Sequence, residues 1–192
     1  MQITAADVMK LRKMTQAGMM DCKNALNEAN GDFERAVEII REKGKLVASK
    51  RADRTATEGV VVSKVVGNKA YLVCLACETD FVANTEGYAQ TVNDILDIAV
   101  ANDAIDRDAL LACTNAEGRT VADLVTEKSG QTGEKCELAC YERIESAFVA
   151  QYVHFNKKLG TILGFNKEVS EEVAKTIAMQ ATAMAPISID EN

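Results

Sequence analysis

Few residues in this chain could do chemistry, and they are widely spaced. Cys occurs at 22, 74, 77, 113, 136 and 140, and His154 is the sole histidine. Cys74-Leu-Ala-Cys77 has the spacing of a zinc or redox pair, and Cys136 with Cys140 would complete four ligands. On strands, however, Cys74 and Cys77 would face opposite sides, and Cys136 and Cys140 would stand ~13 Å apart at roughly 3.3 Å per residue. The pattern favours reduced thiols serving as small apolar side chains, with no metal and no cofactor. Any Ser/His or Cys/His nucleophile would have to run through His154, yet the chain holds no Gly-x-Ser-x-Gly, Gly-x-x-x-x-Gly-Lys or His-Glu-x-x-His run. Beside the Lys-rich turn Asn156-Lys157-Lys158, His154 reads as a surface or packed residue.

Two other segments suit recognition better than catalysis. In Glu78-Thr79-Asp80-Phe81-Val82-Ala83-Asn84 a Thr-Asp pair, fit for a turn or helix cap, directly precedes a Phe. That ring is either a core residue or a probe displayed at a tip for another protein's crevice. In Ala17-Gly18-Met19-Met20 two Met open a helix. Either both lie in the core, or one does and the other is left as an adaptable apolar contact.

The elements that must carry these residues can be read from periodicity. The 192 residues are 47% apolar and 27% charged, with one Pro and no Trp, as in a soluble chain of one or two domains. No apolar run reaches the roughly 18 residues of a spanning helix, and Met1-Gln2-Ile3-Thr4 lacks a secretory layout, which places the chain in the cytoplasm. Residues 1–54 hold 11 basic and 8 acidic groups, and the remainder 11 basic and 21 acidic. That switch suggests two modules, and the acidic bulk argues against nonspecific nucleic-acid binding.

Residues 1–44 read as three short helices. Thr4 caps the first in a capping box with Asp7, Met19 to Ala29 forms the second around Met19, Cys22 and Leu26, and Asp32 caps the third, which carries Phe33, Ala36, Val37 and Ile40 and stops before Gly44. Residues 45–57 form a basic linker. Val60 to Val66 and Ala70 to Cys77 flank Gly67-Asn68 as a hairpin. Helices are expected from about Thr85 to Ala101, with Tyr88, Val92, Ile95 and Ala99 on one side, and from Val121 to Lys128. Two or three strands follow between Cys136 and Phe165, and Ser170 caps a last helix with Val173, Ile177, Ala181 and Met184 turned inward, ended by Pro186. Strands and helices in mixed order with hairpins make the fold α+β.

These residues resemble the elongation factor Ts family, the guanine-nucleotide exchange factors of elongation factor Tu. The resemblance rests on Leu11-Arg12-Lys13-Met14-Thr15 leading to Ala17-Gly18-Met19-Met20-Asp21-Cys22-Lys23-Asn24-Ala25-Leu26, on Glu28-Ala29-Asn30-Gly31-Asp32, and on Cys77-Glu78-Thr79-Asp80-Phe81-Val82-Ala83. Gly133-Glu134-Lys135 and the stretch from His154 to Leu163 match more weakly. Departures are Gln16 where the family commonly has Gly, Ala139-Cys140 for a usual basic pair, and Gln180 for a frequent His.

The resemblance implies a ubiquitin-associated-like bundle at 1–44, a first α+β core subdomain at 58–146 and a second at 147–192. The second is expected to be incomplete, because longer members continue into a coiled-coil hairpin and the rest of that subdomain. It implies a partner, GDP-bound elongation factor Tu, and an activity without covalent catalysis. The Thr79-Asp80-Phe81-Val82 turn would push Phe81 between helices of the G domain, disturbing the magnesium site and phosphate loop so that GDP leaves. Met19, Met20 and Lys23 match N-terminal contacts to the G domain, and Gly133 and His154 match further contact positions. The rival expectation is an adaptor that binds partners through the helical bundle alone.

Overall fold

A computed structural model describes residues 3–189. Three helices open the chain: α1 (Ala5–Thr15), α2 (Met19–Glu28) and α3 (Phe33–Lys50). The Thr4–Asp7 capping box forms as expected, with Asp7 N–H donating to Thr4 Oγ1 at 3.2 Å and Thr4 N–H to Asp7 Oδ2 at 3.0 Å. Val8, Leu11, Cys22, Ala25, Leu26 and Ala36 make a small core of their own. With 11 and 10 residues, α1 and α2 are too short to persist alone, so this core shared with α3 is what holds them.

Gly44 does not stop α3, which runs on to Lys50. The glycine instead serves a helix crossing: a Cβ placed on Gly130 would come within 2.3 Å of the Gly44 Cα. Only two bare backbones allow α3 to lie this close to α7 (Val121–Thr132). The seam is reinforced where Gln131 Nε2 donates to the Thr15 carbonyl at 2.8 Å and Arg41 pairs with Glu127 at 3.3 Å.

Strands β1 (Glu58–Val66), β2 (Lys69–Cys77) and β3 (Glu137–Glu145) form an antiparallel sheet with β2 central. The hairpin turns at Gly67, whose φ of 62° suits a residue without a side chain. β2 reads as an unbroken apolar run because both its faces are covered. Tyr71, Val73, Leu75 and Cys77 meet α5 (Glu86–Asn102), α6 (Arg107–Ala112) and α7 in the main core. On the other face, Val61 and Leu72 lie against Gly160 of a second sheet, β4 (Phe148–Val153) paired with β5 (Gly160–Phe165). The last helix, α8 (Glu171–Met184), closes that sheet.

Tyr88, Val92, Ile95 and Ala99 are buried on one side of α5 as expected. The α8 stripe is otherwise: Val173, Ile177 and Met184 are exposed, and Ala174 and Ala178 are the buried residues. A helix seated closely on β4 and β5 has room for methyl groups only, and its approach is fixed by Thr182 Oγ1 donating to Thr161 Oγ1 at 2.7 Å. Helix α7 runs one turn beyond Lys128, to Thr132. Asp106 caps α6, which is too short for its periodicity to be read from sequence. Residues 3–189 thus contain eight helices and five strands, an α+β architecture.

Candidate functional site

The segment after β2 begins with a cap. Thr79 is the N-cap of a one-turn helix, α4 (Asp80–Ala83), and its hydroxyl oxygen accepts from Val82 N–H at 3.4 Å. Four residues cannot stabilise a helix by themselves, and the support here comes from elsewhere in the chain. The Glu134 carboxylate accepts from Glu78 N–H at 3.1 Å, from Thr79 N–H at 3.0 Å and from the Thr79 hydroxyl at 2.6 Å. The Glu78 carboxylate returns the contact, accepting from Lys135 N–H at 2.7 Å and from Arg51 Nη1 at 3.0 Å. Arg51 is the C-cap residue of α3, so the base of this turn joins three separate stretches of chain.

On that base Phe81 points outward, with 83% of its surface exposed. A Phe in this state is unusual, because burying its ring would be worth about 1.5–3 kcal/mol. Its neighbour Val82 is half-buried on the main core and Ala83 is buried, so the turn is anchored inward on one side while Phe81 and Asp80 face solvent.

Gly133 supplies the left-handed C-cap of α7 at φ 72°, which turns the chain so that Glu134 meets Thr79. His154 is half-buried at the end of β4, its Nδ1 3.0 Å from the Tyr152 hydroxyl and its ring 4.5 Å from that of Phe155. The loop it opens leans on β1: Val61 N–H donates to the Lys157 carbonyl at 2.7 Å, and Lys158 pairs with Glu58 at 2.6 Å. Glu58 stands opposite Cys77 in the β1–β2 register, so this loop lies at the Phe81 end of the sheet, where Glu58, and more weakly Asp80, raise the Lys158 ammonium above its ordinary value. Phe155 is exposed to 86% there. Phe155 directly precedes Asn156-Lys157-Lys158, a turn signal legible in sequence, whereas the support that Glu134 and Arg51 give to the Phe81 turn has no local signature.

Met19, Met20 and Lys23 lie apart from this turn, on α2. Met19 and Met20 are 51% and 64% exposed, so neither Met enters the bundle core. Cys22, Ala25, Leu26 and Ala29 form the buried stripe, and the two Met at the helix start lie outside it. Gln16, a departure from the resembling sequences, caps α1 at φ 55°, a conformation that Gly adopts without strain.

Two of the thiols are held in the protonated form by burial. Cys74 lies opposite Cys140 across β2 and β3, while Cys136 is buried, and burial pushes the Cys74 and Cys136 thiols up to about 11. High values oppose thiolate formation and hence a redox or metal role. Among the described residues no group of three or more His, Cys, Asp or Glu could hold a metal ion, and no helix is long and apolar enough to cross a membrane.

The chain is similar to known translation factors over its full length. The family model "Elongation factor TS" matches residues 78–192, the stretch that begins at the Phe81 turn. Elongation factor Ts of Bacteroides thetaiotaomicron is 51% identical over 193 residues, covering 100% of this chain and 58% of that protein. Elongation factor Ts of Porphyromonas gingivalis is 48% identical over 189 residues, covering 98% of this chain and 69% of that protein. The chain therefore spans somewhat more than half the length of the Bacteroides relative. With the Thr79-Asp80-Phe81 turn inside the matched region and this identity sustained from end to end, the chain belongs to the elongation factor Ts family of translation elongation factors.

Proposed function

We propose that this protein is a guanine-nucleotide exchange factor: in the cytoplasm it binds GDP-bound elongation factor Tu and promotes GDP release, with Phe81 as the inserted group. The observation that carries this reading is a large apolar ring held 83% exposed on a turn whose base, at Glu78 and Thr79, is already tied down through its backbone N–H groups by Glu134. Such a ring gains most by entering a crevice on a partner, and the turn need not reorganise for it to do so.

Exchange needs no acid, base or nucleophile. Factor and nucleotide have only to disfavour one another on the same G protein, and that coupling is reciprocal. One buried Phe supplies about 1.5–3 kcal/mol, within the range of a typical coupling of roughly 1–3 kcal/mol. Asp80, Thr79 and Val82 shape the turn and its rim. Met19, Met20 and Lys23 form a second contact on the G domain, and Gly133 and His154 border the first. An adaptor acting through the bundle alone is less well supported, because α3 is docked on α7 through the Gly44–Gly130 crossing and is not an independent body.

The test is release of labelled GDP from elongation factor Tu. Phe81→Ala should keep the melting temperature of the parent, since the ring contributes little to its own core, and should slow factor-stimulated release about ten- to a hundredfold. Release as fast as with the parent would sink the assignment.

A further inference from the structure

We propose that Glu134 is the positioning residue of the Phe81 wedge, holding the turn in its inserting conformation before the partner arrives; this rests on the exchange reading above. The two residues ahead of Asp80 and Phe81 offer three donors, and one carboxylate takes all three: Oε2 accepts from Glu78 N–H and Thr79 N–H, and Oε1 from the Thr79 hydroxyl. Without it, Thr79 keeps the 3.4 Å cap bond from Val82 N–H and, at its carbonyl, bonds from Ala83 N–H at 3.3 Å and the Cys77 thiol at 3.2 Å, none of which holds the Glu78 and Thr79 N–H groups that set the direction of the turn. Glu134 is itself fixed from behind. Gly133 turns the chain at the end of α7, and Glu134 N–H donates to Thr132 Oγ1 at 3.2 Å.

The geometry also says why a carboxylate stands here. Its two oxygens accept from three donors that lie on one side of it, and ionised acceptors make the stronger bonds. A wedge that must enter a crevice in one orientation loses rate when its base is free to move, because misplacement of about 1 Å is costly even where contacts survive. Glu134 would thus touch neither partner nor nucleotide. Its effect on exchange passes through the direction in which Phe81 points.

The experiment uses the full chain in two arms. In the first, GDP release from elongation factor Tu is followed with Glu134→Ala, Glu134→Gln, Phe81→Ala and the double variant Phe81→Ala/Glu134→Ala. Glu134→Ala should slow release about tenfold. Glu134→Gln should stay within about threefold of the parent, since its amide oxygen can accept both backbone donors while its N–H₂ turns to the Thr79 hydroxyl. In the Phe81→Ala background the Glu134→Ala change should cost less than about twofold, because the two residues act as one unit. In the second arm, Phe81→Trp introduces the sole Trp of the chain, and its fluorescence anisotropy should decay faster once Glu134→Ala is added.

Full additivity of the two Ala changes, or an unaltered anisotropy decay, overturns the proposal. If Phe81→Ala slows release and Glu134→Ala does not, Glu134 fails alone and the exchange reading stands. If Phe81→Ala has no effect on release, the exchange reading fails, and the positioning role falls with it.

Discussion

Two Phe rings stand almost equally bare at one end of the central sheet, yet they are held in different ways. Phe81 sits at the start of a capped helical turn whose base is bound by Glu134 and, through Glu78, by Arg51. Phe155 sits in a loop that lies against β1, with its own ring packed beside His154. Exposure therefore does not distinguish a wedge from a surface side chain. The distinction lies in how much of the backbone beneath the ring is fixed by distant parts of the chain, since ordering that would otherwise occur on binding has already been done in folding.

The comparison can be broken most directly by exchanging which ring is lost. Phe81→Ala should slow GDP release about ten- to a hundredfold, whereas Phe155→Ala should change it by less than about threefold. Equal losses would mean that exposure alone matters. Next in size is Gly130→Ala. The added methyl would collide with the Gly44 backbone at 2.3 Å, push α3 off α7 and cost about 1–3 kcal/mol in urea unfolding. Because α3 delivers Arg51 to Glu78, the same change should slow exchange.

A smaller effect is expected at the opposite end of the sheet, as a control. The Asp103 carboxyl accepts from Arg143 at 2.7 Å, from Lys69 and from the Tyr71 hydroxyl at 2.7 Å, and these partners, Arg143 first, hold it well below its ordinary value of 3.8. A carboxyl lowered in the folded state contributes stability that is complete above about pH 4 and fades as acid protonates it in the fold. Asp103→Asn should therefore lower the melting temperature at pH 7. The gap to the parent should narrow below about pH 4, with GDP release unchanged throughout. A gap that is constant from pH 7 to pH 2 would mean that the charge of Asp103 contributes nothing.

Much of this architecture was legible from local rules. Thr4 with Asp7, Asp32 and Ser170 announced helix starts through bonds made within three residues, and the β-branched runs around Gly67-Asn68 announced the hairpin. What escaped was set by partners remote in sequence. Gly44 looks like a stop until Gly130 is seen against it, and the large residues of α8 look like its inward face because nothing in 171–184 reveals how near the second sheet lies. The candidate site divides along the same line. The Thr-Asp-Phe run leaves Phe81 open between core and displayed tip, and what holds its turn, the bonds to Glu134 more than fifty residues away, has a span that no periodicity reports.

The double-sided burial of β2 bears on how the chain is made. The second sheet leaves the ribosome after the hairpin, so until residues past Gly160 emerge, Val61 and Leu72 have no cover on their outer face although the hairpin that carries them can already pair. For that interval the nascent chain carries a sticky apolar plate, the kind of surface that recruits chaperones or promotes association between unfinished copies. A stop codon placed just after Glu145 would make that transient condition permanent, and the shortened product should accumulate as aggregate.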